Sequence, residues 1–267
     1  MTTNYPLIIA HRGASALAPE NTLAAFRRAF KDGAEGVEFD VRLAKDGVAV
    51  VHHDPSLRRT AGLEEKISEL TSTELSKVHV GSWFRQALPE NWSPEYAKQT
   101  VPSFDATLDA LRNFPGARIF VELKSSRGQN PEPFVRAVCD AIRSSGIADR
   151  IIVKSFRLAF IPHLRAICPD VRTAALFAPK IMTVLRKEKH LVDLAVEFGA
   201  DELSVHYSLA TKKLMKKAAK RSLPVTIWTV NHPRWLRRGM KLGVNAVITN
   251  DPARLIDVRA RSLAELS

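Results

Sequence analysis

Cysteine is scarce in this chain of 267 residues: only Cys139 and Cys168, in apolar helix-like surroundings and without a Cys-x-x-Cys spacing. That argues against a disulfide-stapled secreted scaffold, and two reduced core thiols of a cytoplasmic protein are the expectation. Long hydrophobic runs are missing as well. No stretch approaches the roughly 20 apolar residues needed to cross a bilayer. The first six residues, Met1 to Pro6, hold no basic residue and lead into a short apolar run ending at His11, so no signal peptide is expected. Internal repeats and low-complexity tracts are absent. With 45% hydrophobic and 25% charged residues the chain is neither disordered nor fibrous.

Acidic residues run short in the second half. Residues 1–150 hold 19 Lys/Arg and 19 Asp/Glu, whereas residues 151–267 hold 21 against 9, which accounts for the whole net charge of +12. The densest basic run is Lys212 to Arg221. Such asymmetry favours an anionic partner. No helix-turn-helix, zinc finger or aromatic-basic RNA motif accompanies it, so nucleic acid is not the expected partner. Peripheral contact with an anionic membrane through this basic half is a candidate instead.

Short β-branched runs alternate with helix-length amphipathic segments. Strands are predicted at 7–10, 37–43, 119–123, 151–153, 172–176, 203–205, 225–228 and 246–249. Helices are predicted at 22–31, 103–113, 133–144, 158–167, 181–198, 210–221, 234–241 and 252–263. Within them apolar residues recur at helical spacing, such as Leu23, Phe26 and Phe30, or Phe134, Val138 and Ile142. Eight strands each followed by a helix indicate a single (β/α)8 TIM barrel, a fold that often occupies about 250 residues as one domain. Two features interrupt the alternation. Ala44-Lys45-Asp46-Gly47 is a turn signal followed by another strand, 48–51, so strand two doubles back as a β-hairpin. Residues 56–100 then form a polar excursion, far longer than the usual βα loop of about 2–6 residues, expected as a small insertion over the C-terminal face.

The C-terminal strand ends of such a barrel carry its active site. There the sequence places His11-Arg12-Gly13, Glu38-Phe39-Asp40, Glu122-Leu123-Lys124 and, on the hairpin return, His52-His53-Asp54. Glu38 and Asp40 lie two apart and share a face. If the hairpin turns between Lys45 and Asp46, His53 comes level with Glu38 while His52 points away. Three buried carboxylates would force at least one to stay protonated unless a cation joins them. A hard divalent ion with oxygen ligands, Mg²⁺ or Ca²⁺, resolves the conflict. Arg12 and Lys124 add positive charge suited to a phosphate, and His11 and His53 can serve as proton acceptor and donor. Metal-assisted cleavage of a phosphodiester is the chemistry these groups suit. Glu20 and Asn21, at the start of the first helix, are expected to brace the charged set. His79, His163, His190, His206 and His232 are expected on the surface or in packing.

These residues also resemble a known family. Ile9 to Ala14, Pro19 to Thr22, Val37 to Val41, His53 to Leu57, Val121 to Lys124 and Trp228 to Asn231 are similar, in order, to the motifs of glycerophosphodiester phosphodiesterases. The resemblance implies a barrel with a small insertion after the hairpin, and hydrolysis of glycerophosphodiesters to sn-glycerol 3-phosphate and an alcohol. It implies His11 and His53 as the acid–base pair, Glu38, Asp40 and Glu122 as metal ligands, and Arg12 and Lys124 as phosphate contacts. Trp228 would form part of the wall beside the glycerol or the departing alcohol. A lysophospholipase D-like action on membrane lipids and non-catalytic phosphodiester binding are the rivals.

Overall fold

The protein is described by a computed structural model that covers residues 5–125, 130–185, 187 and 189–264. Eight parallel strands form the sheet: β1 (Leu7–His11), β2 (Gly36–Leu43), β4 (Arg118–Leu123), β5 (Ile151–Ser155), β6 (Arg172–Phe177), β7 (Glu202–His206), β8 (Val225–Trp228) and β9 (Ala246–Thr249). β1 pairs with both β2 and β9, and this closes the barrel. Outside it run α1 (Leu23–Lys31), α2 (Phe104–Arg112), α3 (Pro131–Ser145), α4 (Phe160–Ile167), α5 (His190–Glu197), α6 (Lys212–Lys220), α7 (Pro233–Leu242) and α8 (Pro252–Ala264). Side-chain oxygens of Thr22, Ser103 and Thr211 accept from the third amide beyond them and so start α1, α2 and α6.

The two-residue period of the strands sorts their side chains. In β4, Ile119, Val121 and Leu123 join the layer under the helices, with Phe134 and Val138 of α3. Phe120 faces inward and packs with Ile9, Ile152, Ala174, Ala246 and Ile248. This apolar plug fills the barrel's middle. Beyond Ile9, Phe120, Ile152 and Ile248 the next residues on the same face toward the strand ends are His11, Glu122, Lys154 and Asn250, and they contribute to the site.

β2 outlasts the barrel. β1 pairs only with its first residues, up to Glu38, whereas β3 (Ala49–Val51) pairs antiparallel with Val41–Leu43 on the side that β1 has vacated. The insertion after β3 packs in two places. Leu57, Ile67, Leu75 and Val80 cover the hairpin at Ala44 and Val50. Phe84 and Tyr96 cover Ala18, Ala24 and Ala25 beside the β1 loop. One predicted helix differs. Within 181–198 the described helical pieces are a short turn at Met182–Leu185 and then α5, which starts at His190; residues 186 and 188 lie outside the described residues. Among the described residues no helix is long and apolar enough to cross a membrane.

Candidate active site

Glu38 and Asp40 project inward from β2, and the register sets Asp40 level with Glu122 of β4. One carboxylate oxygen from each lies within 4.8 Å of the others, and all three side chains are buried. Three cations surround them. Arg12 Nε is 3.0 Å from Asp40 Oδ2, and Lys124 Nζ is 3.2 Å from Asp40 Oδ1 and 2.5 Å from Glu122. The third is Lys154, level with Glu122 on β5, with Nζ 2.9 Å from Glu38 Oε1 and a side chain only 2% exposed.

The turn after β1 is tightly built. Arg12 stands at φ +55° and Gly13 at φ +78°, and the Arg12 amide donates to the Glu38 carbonyl at 2.6 Å. A Cβ on Gly13 would meet the Ala25 backbone at 2.6 Å, so only glycine fits there. Asn21 donates to Asp40 Oδ2 at 3.0 Å, and Glu20 accepts from Arg12 at 2.9 Å. Both therefore lie against the charged set. Arg59, from the insertion, joins Glu20 to Asp54 at 2.7 and 2.6 Å.

The hairpin register corrects one expectation. Val51 opposes Val41, not Asp40, and the His52 amide donates to the Asp40 carbonyl. The turn is a three-residue loop closed between Ala44 and Val48, with Gly47 at φ +79°, and this moves the pairing by one residue. His53 is thus not level with Glu38. It is brought in because the chain leaves β3 after Val51, which ends the strict alternation. Its imidazole is close enough to Asp40, Arg12 and Lys124 to feel each charge. His52 does turn away, to Thr60 Oγ1 and the Asp54 carbonyl. His53 Nδ1 bonds Asp54 Oδ1 at 2.6 Å, and His11 Nδ1 bonds the Asn250 side chain at 2.7 Å. A carboxylate can only accept, so the neutral His53 ring carries its proton on Nδ1 and its lone pair on Nε2.

Burial lowers the pKa of both imidazoles, against the pull of Glu38 on His11 and of Asp40 on His53. Burial would raise Asp40, but Arg12 and then Lys124 hold it well below the usual carboxylate range. Glu38 is lowered too, burial being outweighed chiefly by Lys154. Glu122 goes the other way: burial and the Asp40 charge push it up to about 7. Three cations therefore do not fully compensate three carboxylates. Glu38 Oε1, Asp40 Oδ1 and Glu122 Oε1 are sealed from solvent and lie against ammonium groups without an aligned hydrogen bond. Such a set of hard oxygen donors fits a divalent cation.

Trp228 stands at the mouth in a file of rings. Phe156 and His206 both meet it edge-on at 5.6 Å, Tyr207 lies 4.1 Å from His206, and Trp235 lies 4.3 Å from Tyr207. Lys124 Nζ sits 5.8 Å from the Phe156 ring. His206 is thus a rim residue, where the sequence suggested surface or packing. Lys154, Asn250, Arg59 and Phe156 are also additions. Lys154 had a legible signal, a lysine continuing the apolar run Ile151-Ile152-Val153 at a strand's C-terminal end.

Barrel and site together fit a class: (β/α)8 enzymes acting on phosphate esters, whose chemistry suits an acidic pocket edged by arginine, lysine and two histidines. The narrower assignment comes from known proteins. Residues 11–254 match the model of the glycerophosphoryl diester phosphodiesterase family, and the chain belongs to that family. A glycerophosphodiester phosphodiesterase of Caldanaerobacter subterraneus is 28% identical over 94% of this chain and 97% of its own. A probable glycerophosphodiester phosphodiesterase 1 of Mycobacterium tuberculosis is 30% identical over 94% and 91%. Among solved structures, a putative glycerophosphoryl diester phosphodiesterase from Silicibacter pomeroyi superposes with a TM-score of 0.87 at 27% identity, covering 97% of this chain and 94% of that one. A phosphodiesterase from Oleispira antarctica, in complex with the product sn-glycerol-3-phosphate, superposes at 0.83 and 24% identity over 96% and 97%.

Proposed function

We propose that the protein hydrolyses glycerophosphodiesters to sn-glycerol 3-phosphate and an alcohol. The observation that carries this is the three-carboxylate cluster with imidazoles beside it, in a chain of this family. Glu38, Asp40 and Glu122 would hold Mg²⁺ or Ca²⁺. Such an ion would neutralise charge on the phosphoryl oxygens and orient the diester. Arg12 and Lys124 would bind the phosphate, the guanidinium as a two-pronged donor and the ammonium as a point charge. His11 and His53 share the proton work. One removes the proton from the attacking oxygen, and the other delivers a proton to the oxygen of the departing alcohol. Asp54 holds the His53 ring with Nε2 available. Trp228 walls the pocket beside the glycerol or the alcohol. Two free buried thiols support a cytoplasmic location, and Cys139, raised to about 12 first by burial and then by Cys168, is inert.

The test is enzymatic detection of glycerol 3-phosphate released from a panel of diesters, with added Mg²⁺ or Ca²⁺ and after exhaustive chelation. Release that depends on the ion is expected. Undiminished turnover after chelation would remove the metal from the proposal, and binding without product would leave only a diester-binding protein.

A further inference from the structure

Residues 203–250 hold ten Lys/Arg and no Asp or Glu. They span the last turns of the barrel: all but the first residue of β7, and all of α6, β8, α7 and β9. Lys212, Lys213, Lys216 and Lys220 of α6 are exposed, as are Arg234, Arg237 and Lys241 of α7. Among the described residues none of these seven makes an ion pair; on the two helices only Lys217 finds an acid, Asp193 of α5. An uncompensated basic face of this size is a surface for an anion larger than a substrate.

Its upper edge is amphipathic. Helices of a (β/α)8 barrel start at the end where strands finish, so Lys212, Lys213 and Arg234 stand at the catalytic end with His206 and Trp228. Between those cations sit half-buried Tyr207 and Trp235, with the Arg234 and Arg238 guanidiniums 5.0 and 5.7 Å from the Trp235 ring. Phe156, across the mouth from them, is 46% exposed. Lysine and arginine around tryptophan and tyrosine is the composition of surfaces that settle at the headgroup level of a bilayer. No helix-turn-helix, zinc-finger or aromatic-basic RNA motif accompanies the charge in the sequence.

We infer that the α6–α7 side of the catalytic rim docks on an anionic phospholipid bilayer. This docking is independent of the metal and proton roles given above. It places the mouth, with its ring file from Phe156 to Trp235, against the lipid headgroups.

Cosedimentation with vesicles tests it. Vesicles of phosphatidylcholine alone and of phosphatidylcholine mixed with phosphatidylglycerol are compared at low and high salt. Capture by the anionic vesicles only, reversed by salt, is expected. Each basic residue at such a surface contributes roughly fivefold, so Lys212→Gln, Lys213→Gln and Arg234→Gln together should weaken partitioning on the order of 10²-fold. Turnover of soluble glycerophosphocholine by that variant should not change. Equal capture by both vesicle types, no capture, or full capture of the variant would overturn the inference. So would tight binding of duplex DNA at a salt concentration where vesicles are not bound. Lost turnover in the folded variant would assign these residues to the active site instead.

Discussion

Lys154 is the most exacting point at which to test the charge balance. Its ammonium is sealed inside the barrel and pairs with Glu38, whose carboxylate is wholly buried. Lys154→Met keeps much of the side chain's length and removes the ammonium with its charge and donors. Glu38 is then left as a buried anion beside Asp40 and Glu122. Removing one partner of a buried pair costs about 3–5 kcal/mol. For a chain of this size about 2–4 °C of Tm accompanies each kcal/mol, so the metal-free variant should melt roughly 6–20 °C lower. A divalent ion on the same carboxylates replaces the lost charge. The deficit should therefore shrink markedly when saturating Mg²⁺ or Ca²⁺ is added, by more than the ion stabilises wild type. Thermal melts followed by circular dichroism, with chelator and with ion, measure both gaps. A variant that melts with wild type in chelator, or one whose deficit ion leaves unchanged, would refute the assignment of Lys154 as the internal counter-charge of a metal-binding cluster.

Ion affinity should depend on pH through Glu122. Its proton must leave for the ion to bind, so affinity falls about tenfold per pH unit below the carboxyl's pKa of about 7 and levels off above it; calorimetry showing equal affinity at about pH 6 and about pH 8 would contradict this. His53→Ala should lower kcat by roughly 10²–10⁴-fold with the melt unchanged; near-normal turnover would take His53 out of the proton chemistry. Gly13→Ala should cost at least about 1 kcal/mol, since alanine is strained at φ +78° and its Cβ meets the Ala25 backbone. Unaltered urea stability would show that the turn relaxes freely.

The barrel was legible because its strands are short, β-branched and regularly spaced by amphipathic helices. The carboxylates were legible because Glu38 and Asp40 share one face of a barrel strand, where two acids cannot be buried without a counter-charge. What escaped depended on local geometry. Hairpin register turned on whether the loop has two residues or three, which Ala44 to Val48 does not declare until Gly47 is seen in a left-handed conformation. Lys154 escaped because a charge after an apolar run reads as the end of the strand, and its burial depends on Glu38, more than a hundred residues away. Arg59 reaches the site only through the fold of the insertion, whose polar sequence has no period to read. The rings of His206, Tyr207 and Trp235 meet because β7 and β8 are neighbours, and no local pattern in either strand announces it.

The groups to which we assign the chemistry all come from one arc of the ring: β1, β2 with its returning hairpin, β4 and β5. The loops after β6, β7 and β8 supply rings and positive charge but none of the three carboxylates or the two imidazoles beside them. On the proposed assignment, recruitment of new alcohols would proceed by changing those loops alone. Exchanging them between relatives should transfer headgroup choice without retuning the cation pocket.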